Sequence, residues 1–82
     1  MERLTRKQLD GSWTAASATA ALERLAQYES MHEALEAEYL KICTDMERLR
    51  SAGRTKSATY RQLLGNKLSM RDLLDCIELY VK

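Results

Sequence analysis

Between Ser12 and Gly53 the chain contains neither glycine nor proline, and this uninterrupted stretch, rich in Ala, Leu, Glu and Arg, limits what it can fold into more than any other feature. Glycine and proline are the residues that end helices and turn strands, while Ala, Leu, Glu and Arg are among the best helix formers. One long helix is predicted over about 13–52, with Ser12 as its N-cap and Gly53 as the residue beyond its C-terminus, after Arg48 and Arg50 in the last turn. Its apolar residues keep a heptad. Leu25, His32, Tyr39 and Met46 form one seam position, and Ala21, Tyr28, Leu35, Ile42 and Leu49 the other, a coiled-coil pattern with His32 as the polar exception.

After Gly53 the pattern shortens. Ser57 or Thr55 is placed to cap a second helix over about 57–65, through Tyr60, Leu63 and Leu64, ending at Gly65-Asn66. Ser69 followed by Asp72 marks the start of a third helix over about 69–81, with Met70, Leu73, Leu74, Ile77 and Tyr80 at helical spacing. Leu4 to Leu9 is read as a short helical turn, broken at Asp10-Gly11, within a flexible arm over 1–11. The expectation is an all-α fold in a single domain over 1–82: a long helix folded as a hairpin against two shorter ones, completed by dimerisation.

Charge is segregated along this framework. Residues 1–22 carry +1, and residues 23–47 carry −5. Residues 48–71 contain seven basic side chains and no acid, and residues 72–82 carry −2, so the net charge is only +1. The basic block is Arg48, Arg50, Arg54, Lys56, Arg61, Lys67 and Arg71, with Tyr60 among them. Such a block either packs beside the acidic row of the long helix or forms a surface for a partner or for nucleic-acid phosphates.

Several chemistries lose their support at the level of residue types. His32 is the only histidine, and Cys43 and Cys76 lie far apart without a C-x-x-C, so no zinc site assembles from one chain and the thiols are expected to stay reduced. Glu29 and His32 have the Glu-x-x-His spacing of di-iron bundles, but such a site needs two pairs and further glutamates. Gly53-Arg54-Thr55-Lys56-Ser57 lacks the glycine that precedes the lysine of a phosphate-binding loop. Residues 57–77 carry only part of a helix-turn-helix pattern, because Arg61 and Arg71 fall where small and apolar side chains are required, and Asp72, Asp75 and Glu78 would repel phosphates. No nucleophile, base and orienting acid converge, so no enzyme and no cofactor are expected. The apolar runs are too short for a membrane span. Charged residues follow Met1 without the apolar stretch of an export leader, so a cytoplasmic protein is expected.

The length mismatch between the predicted helices carries the functional reading. Two short helices returning from Gly53 cover Tyr39, Ile42, Met46 and Leu49 and leave Ala18, Ala21, Leu22, Leu25 and Tyr28, with Trp13, uncovered. That stripe is the candidate oligomer interface, and the chain is expected to be a homodimeric adaptor, regulator or inhibitor with a larger protein partner. The alternative is a small nucleic-acid-associated regulator that binds phosphates through Arg48, Arg50, Arg54, Lys56, Tyr60, Arg61, Lys67 and Arg71.

Overall fold

The computed structural model describes residues 1–81. A short antiparallel strand pair, β1 (Thr5–Lys7) and β2 (Trp13–Ala15), precedes two helices, α1 (Ala18–Ser51) and α2 (Ala58–Tyr80). The chain divides into two compact units, Met1–His32 and Glu33–Lys82, with the boundary inside α1.

In the first unit the predicted helical turn over Leu4–Leu9 is replaced by a β-hairpin. Thr5 pairs with Ala15, Arg6 with Thr14 and Lys7 with Trp13. The reason lies in Asp10-Gly11. The Gly11 N–H donates to the Gln8 carbonyl at 3.0 Å, and the Gln8 N–H to the Ser12 carbonyl at 2.7 Å. Gly11 itself has φ +90°, so Leu9, Asp10 and Gly11 form a three-residue hairpin loop with glycine in the left-handed position. Asp10 holds the loop from within: its Oδ1 accepts from the Ser12 N–H at 2.9 Å and from the Ser12 hydroxyl at 2.6 Å. These bonds favour the charged carboxylate and hold Asp10 below the ordinary aspartate range.

The hairpin also moves the start of α1. Ser12 closes the hairpin loop opposite Gln8, Trp13 belongs to a strand, and Ser17 is the residue that accepts the free N–H of Ala20, at 3.2 Å. Trp13 is therefore not part of the helical stripe in which it was expected; the Arg3 guanidinium lies 4.8 Å from its ring centre. Arg24 of α1 donates to the Glu2 carbonyl at 2.6 Å, tying the amino-terminal segment to the helix.

The second unit is a helical hairpin. The Gly53 N–H donates to Arg50 and the Arg54 N–H to Leu49, with Gly53 at φ +74°, the double bond pattern that closes a helix with a left-handed residue. Ser57 caps α2 by accepting from the Tyr60 N–H at 3.1 Å. Ile42, Met46 and Leu74 are buried, and Leu35, Tyr39, Leu49, Tyr60, Leu63, Met70 and Ile77 are half-buried around them. The heptad positions from Leu35 to Leu49 thus face the returning helix, as their spacing predicts.

The break at Gly65-Asn66 does not occur: α2 continues through it, and the two short helices expected over 57–65 and 69–81 are one. An interior glycine costs about 1 kcal/mol relative to alanine. Leu63, Leu64, Lys67 and Leu68 on either side are strong helix formers, and Leu63 and Met70 both turn toward α1, so packing across the glycine outweighs that cost. Ser69 is consequently a residue within a helix and not a cap.

Candidate interaction surfaces

The five residues predicted as an oligomer interface all lie on α1 in the first unit, within one face of the helix. Leu22 is 65% exposed and Leu25 is 52% exposed; Ala18 is exposed, while Ala21 and Tyr28 are half-buried. Tyr28 Oη sits 3.0 Å from His32 Nδ1, and the two rings meet edge to face with centres 5.7 Å apart. This contact uses the i,i+4 spacing of the helix, and it gives the polar seam residue a polar neighbour one turn away.

Three arginines of the predicted basic block have carboxylate partners on their own helices. Arg48 pairs with Asp45 at 3.1 Å and Arg50 with Glu47 at 2.6 Å, each along α1. Arg71 forks onto Asp75 of its own helix, at 2.6 and 2.9 Å, and its guanidinium lies 5.3 Å from the ring centre of Tyr39 on α1. The Asp75 bond, with a smaller contribution from Tyr39, raises the pKa of Arg71 further. Tyr60, placed among these basic residues, is half-buried beside the Ser57 cap, and Lys67 is half-buried too. What remains at the turn between the helices is Arg54, Lys56 and Arg61, all exposed and, among the described residues, with no carboxylate in ion-pair range. Arg61 donates to the Lys56 carbonyl at 3.2 Å, which holds these two residues of the turn together.

A feature that sequence reasoning did not single out lies along one side of the second unit. Two adjoining hollows, of about 320 Å³ and 430 Å³, open between α1 and α2. Both are bordered by Glu38, Ile42 and Asn66; Ser69, Met70 and Leu73 complete one, and Ala37, Lys41, Asp45 and Leu63 the other. Asn66, expected beside a helix break, is instead an exposed residue within α2 at the border of both hollows. No helix among the described residues is long and apolar enough to cross a membrane, and no group of three or more His, Cys, Asp or Glu among them is arranged to hold a metal ion.

No protein-family model, curated protein sequence or solved structure matches this chain.

Proposed function

We propose that the chain is a non-enzymatic helical interaction module that self-associates through the α1 face of Ala18, Ala21, Leu22, Leu25 and Tyr28 and serves a larger protein partner as an adaptor, regulator or inhibitor. The observation that carries this reading is the ratio of covered to uncovered apolar side chains. Among the described residues three hydrophobic side chains are buried, and thirteen large ones are exposed, Leu22 and Leu25 among them. Each leucine taken fully out of water contributes about 1.5–3 kcal/mol, so Leu22 and Leu25 are a substantial reserve of free energy that only another chain can draw on. Placed against a second α1, the small Ala18 and Ala21 let the backbones approach closely while Leu22, Leu25 and Tyr28 fill the seam.

Light scattering behind size exclusion, at low and at physiological salt, tests this. The expected result is a mass of at least twice the 9.4 kDa of one chain under both conditions, lowered for Leu25→Glu with helix content retained. A wild-type mass of 9.4 kDa at every concentration refutes self-association.

A second reading, of a phosphate-binding regulator, is supported by the exposed Arg54, Lys56 and Arg61 at the turn. Under that reading a mobility shift with duplex DNA or RNA weakens steeply with salt and disappears in the Arg54→Glu, Arg61→Glu double variant. Binding that survives the reversal removes the turn as the site.

A further inference from the structure

The rim of the groove in the second unit carries an ordered set of charges. Glu38, Lys41 and Asp45 border it, and Arg48 continues the same row one turn on. Their spacings of three, four and three residues keep them in one stripe of α1, and their signs alternate negative, positive, negative, positive. Read backwards, the row is its own complement. A second α1 laid antiparallel, about a two-fold axis level with residue 43, sets Lys41 opposite the partner's Asp45 and Glu38 opposite the partner's Arg48, and by symmetry each pair occurs twice. A parallel copy in register would set like charges against like.

We propose that this groove is a docking face for a second copy of the same chain, held antiparallel by that charge row. The proposal rests on the reading that the chain self-associates and adds to it a second, distinct face. Ile42 lies at the groove floor, and Leu73, 46% exposed at its edge, is the side chain that a second copy would cover. The apolar contacts supply the affinity. The charges fix direction and register, because exposed ion pairs contribute little to affinity and much to which partner and which orientation is accepted. In the contact between Arg48 and Asp45 within one chain the Arg48 side chain is 76% exposed and Asp45 is 27% exposed, so Arg48 can leave for a contact between copies at little cost while Asp45 stays in place at the rim.

The test uses two single variants of the whole chain, Lys41→Glu and Asp45→Lys, measured alone and mixed by analytical ultracentrifugation, with circular dichroism confirming helix content. Alone, each variant sets like charges against each other twice across the two-fold, and its self-association is expected to weaken by about tenfold or more. In the mixture the introduced carboxylate faces the introduced ammonium, and the native Asp45 of one chain faces the native Lys41 of the other. Mixed dimers are then expected with an affinity within about threefold of wild type. An effect confined to one helix cannot produce rescue by mixing. If wild type associates and both variants associate equally well, or if mixing restores nothing, the groove proposal is overturned while self-association stands. If wild type is monomeric throughout, the underlying reading fails and takes this one with it. Should either variant lose its helix content, Glu38→Lys with Arg48→Glu makes the same comparison at exposed positions of the same row.

Discussion

Leu73 and Leu74 are neighbours on α2, yet they stand in opposite surroundings: Leu74 is 4% exposed against α1, and Leu73 is 46% exposed. Replacing each by alanine in turn gives a measurement in which helix propensity and the number of atoms removed are identical and only burial differs. For Leu74 the three lost carbons carry about 2 kcal/mol of transfer free energy, and the space left among Ile42, Met46 and the half-buried residues adds a cavity cost. A hairpin of two helices collapses over a gap more easily than a closed core, so the lower part of the usual 2–5 kcal/mol range applies, about 2–3 kcal/mol. For Leu73, roughly half of whose surface is already in water, the cost to the single chain is below about 1 kcal/mol. Urea denaturation followed by circular dichroism at low protein concentration reads the difference. With a slope of about 1 kcal/mol/M for a chain of this size, the midpoint of Leu74→Ala falls about 2–3 M below wild type while that of Leu73→Ala falls by less than about 1 M. Equal shifts, or a larger one for Leu73, would mean that the face of α2 turned toward α1 is not the one that carries Leu74.

Three further outcomes follow from local geometry. Gly65 lies inside α2 with open space where a Cβ would stand, so Gly65→Ala raises stability by about 0.5–1 kcal/mol in the same denaturation experiment; Gly53→Ala, at φ +74° and equally open, lowers it by about 1 kcal/mol, because the left-handed backbone and not the space is what glycine supplies there. Ile42→Asp puts a carboxylate at a buried seam position and costs several kcal/mol, abolishing a cooperative thermal transition, whereas Glu33→Asp on the exposed side is nearly silent. Asp10 titrates below an aspartate in an unstructured peptide, so the order it lends to the hairpin loop is complete above the ordinary carboxylate pKa and is lost as pH falls through the lowered value; a carboxyl-carbon NMR titration shows this, Ser12→Ala moves the midpoint back up, and a midpoint at or above the ordinary range contradicts the bonds to Ser12.

The helical hairpin was legible because it rests on features that act over many residues. The heptad from Leu35 to Leu49, the glycine at position 53 and the serine at position 57 each have a physical consequence that a neighbour cannot easily override, and all three are realised. Gly65 and Ser69 were legible only as local preferences. A preference of about 1 kcal/mol yields when the helix on both sides has a partner to pack against, which is why α2 runs unbroken. The amino-terminal hairpin was misread for the opposite reason. Asp10-Gly11 is a strong turn signal, but strands of three residues leave almost no alternation to detect, and the alanines that follow extend a helical pattern backward over Trp13-Thr14-Ala15.

The charge pattern shows where sequence reading stops and geometry has to take over. Summed over segments, −5 followed by +7 suggests that the basic stretch lies on the acidic one, yet Arg48, Arg50 and Arg71 find carboxylates three or four residues away on their own helices. Pairs at that spacing need no fold to bring them together, so they satisfy the charge asymmetry without specifying how the helices pack. What segment totals conceal is order. Glu38, Lys41, Asp45 and Arg48 sum to zero and vanish from any count of net charge, but once α1 is a helix with a groove beside it their alternation becomes a directional code. Net charge describes how strongly a surface attracts; the sequence of signs along one helical stripe decides which surface it accepts, and in which direction.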